Sequence, residues 1–367
     1  MNCYSQGAII RLTAVSIRPR NPFRVFPAGH IFPRAKVIRK KDKTYRIEVP
    51  MPYPCQSVSE TVADIIAWRP VLSPVLKAFE PMLTRRGMLA EEMEAAVRDA
   101  GLVIPDLVME KETNGVSLLA GSDLEGVGPL MAESASALLP LLAATGAKGL
   151  DDPAIAAFFA SAGGDDDRRR QLACAIMNSS DDAIVKVAGG CDLDPGLLKF
   201  TGEMILSPVL RAMVRNYLHG RESDDDMPWD EGNRWSQGYC PVCGSFPTIG
   251  WLDRHTLDKN NPYLKSGGGK KHLHCGLCGA EWKFRRGVCP ACGSEAKGTM
   301  NILREEGPSH GERIDWCTEC KAYCPIIDLR EREKTPDMDA MALGMLHLDI
   351  VAADKKLIPI KHSFWNS

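Results

Sequence analysis

The sequence predicts an α+β protein: an all-helical N-terminal domain, two tandem ribbons built on cysteine knuckles, and a closing C-terminal helix. Three observations carry this. Between residues 59 and 220 apolar residues recur at helical spacing and no alternating strand pattern competes. Eight of the 13 cysteines then fall in four CxxC pairs between Cys240 and Cys320. Beyond them, residues 338–350 place Met341, Met345 and Leu348 at helical intervals. A chain of 367 residues, 44% hydrophobic and 25% charged, suits two or more globular domains.

Residues 1–56 are rich in Pro and Arg, and the first fifty carry eleven Lys/Arg against Asp42 and Glu48. Two readings stay open for this stretch: a basic arm drawn to an acidic partner, or a poorly ordered extension upstream of a start at Met51. No apolar run follows a charged start there, so no secretory signal is read and a cytoplasmic protein is expected. No run of 18 apolar residues exists, so no membrane span is expected.

The helical domain is read over 57–221. Its first stretch, ADIIAWRPVLSPVLKAFEPML, is expected to break at Pro70, Pro74 and Pro81. Helices follow over 90–100, 130–147, 153–162, 167–177 and 195–218. Leu72-Ser73-Pro74-Val75-Leu76 recurs as Leu206-Ser207-Pro208-Val209-Leu210. Both copies are expected to start helices, with Ser as N-cap and Pro at the first helical position. Residues 222–235 are read as a linker, because ESDDDMPWDE carries six acids in ten positions and a charge run is usually solvated.

The ribbons are read over 236–286 and 287–334. CPVCGS at 240–245 is almost repeated as CPACGS at 289–294, 49 residues on. Each copy precedes a strand-like approach, KKHLHC or ERIDWC, to a second, different knuckle. The repeat favours Cys240, Cys243, Cys275 and Cys278 as one metal site. Cys289, Cys292, Cys317 and Cys320 then form the other, each interval holding a β-hairpin. The ten residues between Cys278 and Cys289 could instead close a site of their own. Four thiolates satisfy a tetrahedral divalent ion, and CxxC followed by Gly aims both sulfurs at one point. Two metal ions are therefore expected, zinc or iron, since tetrathiolate geometry suits both. Thiol–disulfide catalysis lacks its βαβ context. His272 and His274 flank a knuckle but are read as strand-face residues. Cys324 is read as a spare ligand, a redox-sensitive thiol, or neither. Cys3, Cys55, Cys174 and Cys191 stand alone, Cys174 as a small buried hydrophobe. The closing helix and tail are read over 335–367.

Function divides into two classes. Lys265, Lys270, Lys271, Arg285 and Arg286, with Trp282 and Phe284 interleaved, could make the first ribbon a nucleic-acid module or regulator. Outside the first fifty residues, however, 34 basic residues face 45 acids, so no nucleic-acid partner is expected. No Ser/His/Asp constellation, phosphate loop or open metal position stands out, so no catalytic residue is assigned and no enzyme is expected. The residues are silent on self-association.

CPVCGSFP (240–247), HLHCGLCGAEWKFRRGVCPACG (272–293), WCTECKAY (316–323) and PDMDAMALGMLHLD (336–349) together resemble the formate dehydrogenase accessory proteins, FdhE. ILSPVLRAM at 205–213 fits the same pattern, and the resemblance runs from about residue 60 to 354. It implies a cytoplasmic maturation factor with rubredoxin-like, iron-associated centres. Such a factor would bind the catalytic subunit of a molybdenum- or tungsten-dependent formate dehydrogenase and be needed for active enzyme. The eight knuckle cysteines carry over directly as the metal ligands. Cys324 and the Arg-rich N-terminal extension depart from the pattern.

Overall fold

The computed structural model describes residues 36–39, 45–48 and 54–362, apart from 107–113, 161–164, 220, 222–226, 231–233, 255–268 and 307–308. Strands β1 (Lys36–Arg39) and β2 (Tyr45–Glu48) pair antiparallel, Lys36 opposite Glu48. The rest of the basic arm lies outside the described residues.

Helix α1 (Val58–Trp68) opens on a capping box: Ser57 Oγ accepts from the Glu60 amide while the Glu60 carboxylate accepts from the Ser57 amide. The helices α2 (Ser73–Glu92), α3 (Glu94–Asp99), α4 (Val127–Ala143), α5 (Pro153–Phe159), α6 (Asp166–Met177), α7 (Asp181–Gly189) and α8 (Pro195–Leu218) follow. Helix α8 is the axis of the bundle, packing against α2, α3, α4, α6 and α7. Pro70 falls in a short 3-10 turn and Pro74 in the first turn of α2, while Pro81 sits inside α2 without ending it.

The Ser-Pro repeat behaves differently in its two copies. Ser73-Pro74 opens α2, with Leu72 rather than Ser at the cap position. Ser207-Pro208 lies in the middle of α8, contrary to the expected helix start. Both residues are buried within the helix, and the Ser207 hydroxyl, instead of capping a helix start, donates to the Leu277 carbonyl of the first ribbon.

Strands β3 (Ile249–Leu252), β4 (Lys271–His274) and β5 (Glu281–Phe284) form one antiparallel unit. Strands β6 (Met300–Leu303), β7 (Glu312–Cys317) and β8 (Ala322–Asp328) form the second. The α+β order of helical region, cysteine-bearing ribbons and C-terminal helix is thus as the sequence predicts. What it does not predict is that the ribbons fuse. Strand β3 pairs parallel with β8, Gly250 opposite Ile326, giving the order β5-β4-β3-β8-β7-β6. Gly250 permits this junction: a Cβ there would stand 2.7 Å from the His272 carbonyl oxygen and 2.8 Å from Ile326 Cδ1.

The expected closing helix is two helices, α9 (Met338–Gly344) and α10 (Leu346–Asp354), followed by β9 (Ile358–Pro359), which pairs with β8. Helix α9 wedges against α1, α2 and β3, so a single apolar core runs through helices, sheet and C-terminal segment. The linker is also more than solvated charge. Trp229 is fully buried and donates to the Glu281 carbonyl at 2.8 Å, and Asp230 accepts from the Lys283 amide at 2.8 Å, clipping β5 in place. Cys55, expected to stand alone, is disulfide-bonded. Among the described residues no helix is long and apolar enough to cross a membrane.

Candidate metal centres

Each knuckle is a tight turn closed by its own backbone. The Gly244 amide donates to the Cys240 carbonyl at 3.0 Å and the Gly279 amide to that of Cys275 at 2.8 Å. The Gly293 amide donates to Cys289 at 2.9 Å and the Lys321 amide to Cys317 at 3.0 Å. The residue after each CxxC takes a left-handed φ of 77°, 73°, 73° and 63°. Glycine adopts this freely in three knuckles. In the fourth Lys321 does so, its ammonium lying 5.7 Å from the centre of the Trp316 ring.

The turns bring the eight sulfurs into two groups. Cys240, Cys243, Cys275 and Cys278 meet before β3 and between β4 and β5; Cys289, Cys292, Cys317 and Cys320 meet before β6 and between β7 and β8. No site forms across the ten-residue interval. Closest sulfur pairs are 3.5 Å (Cys240–Cys278) and 3.4 Å (Cys243–Cys275) in the first group. In the second they are 3.6 Å (Cys289–Cys320) and 3.8 Å (Cys292–Cys317). A tetrahedron with metal–sulfur bonds of about 2.3 Å has edges of about 3.8 Å, so both groups fit a single ion. In the first, burial and the neighbouring thiols push Cys240 well above the ordinary thiol range. Against burial, hydrogen bonds from the other three sulfurs hold Cys275 well below it. Four crowded sulfurs cannot all ionise without a cation among them.

The first group is built into the protein's interior. Its four residues are all at most 3% exposed. The Leu118 and Leu119 amides donate to the Pro241 and Val242 carbonyls at 2.8 and 3.0 Å, and Ser117 Oγ donates to the Cys240 carbonyl at 3.0 Å. The second knuckle docks on α8. Ser207 Oγ donates to the Leu277 carbonyl at 2.6 Å, and Arg211 Nη2 to the Gly276 carbonyl at 2.8 Å. Asp339, on α9, gathers the charges: it pairs with Arg86 at 2.7 Å, Arg211 at 2.8 Å and His274 Nε2 at 3.2 Å. The other ring nitrogen of His274 meets Glu281 at 3.2 Å.

Burial alone would lower the His274 pKa, but Asp339 and Glu281 outweigh it and push it up to about 9. Burial would likewise raise Asp339, yet Arg211, Arg86 and His274 hold it far below the ordinary carboxylate range. His274 is therefore a strand residue bound to carboxylates at both nitrogens. His272 likewise pairs with Asp253 at 3.0 Å and stacks on Trp251. Neither joins the sulfur groups.

Cys324 also lies outside both groups, buried on β8, where desolvation pushes its thiol up to about 12. Nor does the structure display the basic and aromatic stripe. Trp282 and Phe284 are buried, and Lys271 is buried in a 2.9 Å pair with Asp315 of β7. Lys265 lies outside the described residues. Sequence reasoning missed Arg86 and Asp339. The available signal was Arg86 recurring on the apolar face of α2 with Phe79, Met82, Leu83, Leu89 and Ala90.

No protein-family model matches the chain. It is 30% identical over 135 residues to a protein FdhE homolog of Aquifex aeolicus, covering 36% of this chain and 44% of that one. It is 29% identical over 176 residues to that of Stutzerimonas stutzeri, covering 47% and 50%. With the homolog of Shewanella oneidensis it shares 34% over 115 residues, covering 31% and 33%. The chain thus spans half the length, or less, of these curated relatives. The crystal structure of the FdhE protein from Pseudomonas aeruginosa superposes with a TM-score of 0.51 at 20% identity, over 84% of this chain and 93% of that one. Over part of its length the chain is similar in sequence to the FdhE proteins. The resemblance read from its knuckles is borne out, and it shares the FdhE fold.

Proposed function

We propose that this FdhE relative is an accessory factor in formate dehydrogenase maturation. It would bind the catalytic subunit of a molybdenum- or tungsten-dependent enzyme in the cytoplasm before that subunit is complete. The observation that carries the reading is the placement of a tetrathiolate group where helices, ribbons and C-terminal segment meet, in a chain related to FdhE proteins. The eight knuckle cysteines would hold two ions, iron or zinc. When bound, each ion supplies four strong cross-links between strands too short to fold alone, and iron would add one-electron redox capacity. Four cysteine sulfurs fill a tetrahedral shell and leave no position for a substrate, which supports a non-catalytic role. The nucleic-acid reading of the ribbons has less support, because Trp282 and Phe284 are in the core and Lys271 is neutralised by Asp315.

Co-purification tests this. Tagged protein should capture the formate dehydrogenase catalytic subunit from cells, more strongly when cofactor insertion is blocked, and Cys243→Ser or Cys292→Ser should weaken capture. Full formate dehydrogenase activity in cells lacking the protein would refute the reading.

A further inference from the structure

The two sulfur groups share a sequence repeat and a turn geometry, but their surroundings differ. We propose that the second group, Cys289/Cys292/Cys317/Cys320, is an exchangeable site that gives up its divalent transition-metal ion to a competing donor, while the first retains its ion. This rests on both groups binding metal, as proposed above.

Access is the first argument. A filled four-sulfur shell exchanges its ion through an incoming donor that reaches the metal or takes over a sulfur. At the first site every cysteine is buried. At the second, Cys292 is exposed and Cys320 half-buried, so a chelator or foreign thiol can approach from solvent.

Charge is the second. A divalent ion with four thiolates carries a net −2. Around the first site Arg86 and His274 lie buried and Arg211 half-buried, with Arg211 donating directly to the knuckle backbone. Buried cations offset that dianion in a low-dielectric setting, where the attraction is strong. The cations beside the second knuckle pair are surface groups: Lys321 over Trp316, and Arg285 in a solvent-exposed pair with Glu295.

Coupling is the third. Opening the first site means undocking both knuckles from residues 117–119 and from α8. The second pair is held by its own hairpin and the tail, through Thr318 to Thr299 and Ile358 to Lys321, both 2.9 Å, and by Pro290 packed against Gly238. Its ribbon is tied to the helices at the far end of β7, where Arg69 binds Glu312 at 2.8 Å, and on β8, where Tyr323 donates to Asp349 of α10 at 2.7 Å, but among the described residues to neither α2 nor α8 through its knuckles. Loss of the second ion therefore frays a hairpin and leaves the junction standing.

The test uses the full chain loaded with zinc and challenged with excess 4-(2-pyridylazo)resorcinol, with release followed by absorbance. One equivalent should leave fast and the other roughly 10–100-fold more slowly, each freed thiolate taking up a proton. Cys292→Ser should remove the fast phase. In parallel, brief iodoacetamide treatment of the wild type with peptide mapping should label Cys292 and Cys320 before any cysteine of the first group. This measurement needs no variant to fold. Release of both equivalents in one phase, or earlier labelling of Cys240 or Cys275, would overturn the proposal. Failure to hold two equivalents at all would instead overturn the underlying metal reading.

Discussion

Asp339→Asn is the most informative single change. The carboxylate is 12% exposed and accepts from Arg86 and Arg211 at 2.7 and 2.8 Å, with His274 at 3.2 Å. Asparagine keeps the shape and one acceptor but removes the charge, leaving Arg86, Arg211 and His274 with only Glu281 and Asp337 to offset them. Breaking a buried ion pair from one side costs about 3–5 kcal/mol, since the abandoned charge stays desolvated. Because asparagine still accepts one bond, about 3 kcal/mol is expected here. At about 2 °C per kcal/mol for a unit this large, the midpoint of thermal unfolding should fall by roughly 6 °C. The assay is parallel thermal and urea denaturation of zinc-loaded wild type, Asp339→Asn, Arg211→Met and the double variant. The two residues touch, so the double variant should cost less than the sum, with a coupling of about 1–3 kcal/mol. Asp339→Asn melting within about 2 °C of wild type, or strict additivity, would show that Asp339 does not hold the junction together.

Other outcomes follow from the same contacts. Ser207→Ala removes the 2.6 Å bond to the Leu277 carbonyl and the acceptor of Arg211 Nε, and should cost about 1–3 kcal/mol by urea denaturation. Asp230 is pushed up to about 6 mainly by burial, so its fold binds the proton more tightly than the unfolded chain does. Its destabilising ionisation is absent below the ordinary carboxylate pKa, grows as pH rises, and is fully present above about pH 6. Asp230→Asn, still able to accept from Lys283, should therefore match wild type at pH 4 and exceed it by about 1–3 kcal/mol at pH 7, measured across that range. A fragment of residues 57–221 should be helical by circular dichroism but melt earlier and less sharply than the full chain. It leaves Arg86 and Arg211 without Asp339 and bares the face of α8 that carries Ser207. A cooperative melt at the full-chain temperature would refute this.

Local chemistry was legible and long-range placement was not. The knuckle turns depend on a few consecutive residues, CxxC followed by a residue at positive φ, and the tandem repeat favours the grouping of Cys240 with Cys275 and Cys289 with Cys317 in which the sulfurs meet. The helices read over 153–162 and 195–218 likewise follow from periodicity, and in the structure they run over 153–159 and 195–218 from Asp caps at 152 and 194. Ser207-Pro208 misled because its cap signal is local, while its partner, the Leu277 carbonyl, is seventy residues away. Trp229 sits in a charge run yet packs under β5, a contact that composition cannot report. The parallel pairing of β3 with β8 needs only a glycine and two apolar strands, features shared by many pairings that do not form.

The helical part and the ribbons each supply what the other lacks. Four-residue strands bury too little to be stable alone, and a metal tie fixes their turns but not their orientation. Helices α2 and α8, for their part, turn Arg86 and Arg211 toward the ribbon, where an apolar neighbour would leave both charges poorly satisfied. In the closed knuckle the Gly276 carbonyl accepts from Arg211 and the Leu277 carbonyl from Ser207, so the turn faces α8 with both acceptors. A metal ion at the first site would thereby be linked to helix packing. A bound ion would fix the turn, which presents the Leu277 carbonyl to Ser207 and the Gly276 carbonyl to Arg211, and Asp339 holds the two arginines. Removing that ion should loosen α8 and α9 as well as the ribbon, whereas removing the ion of the second site should not. Hydrogen exchange of the α8 amides in protein depleted at one site or the other would separate the two cases, and equal protection in both would break the link.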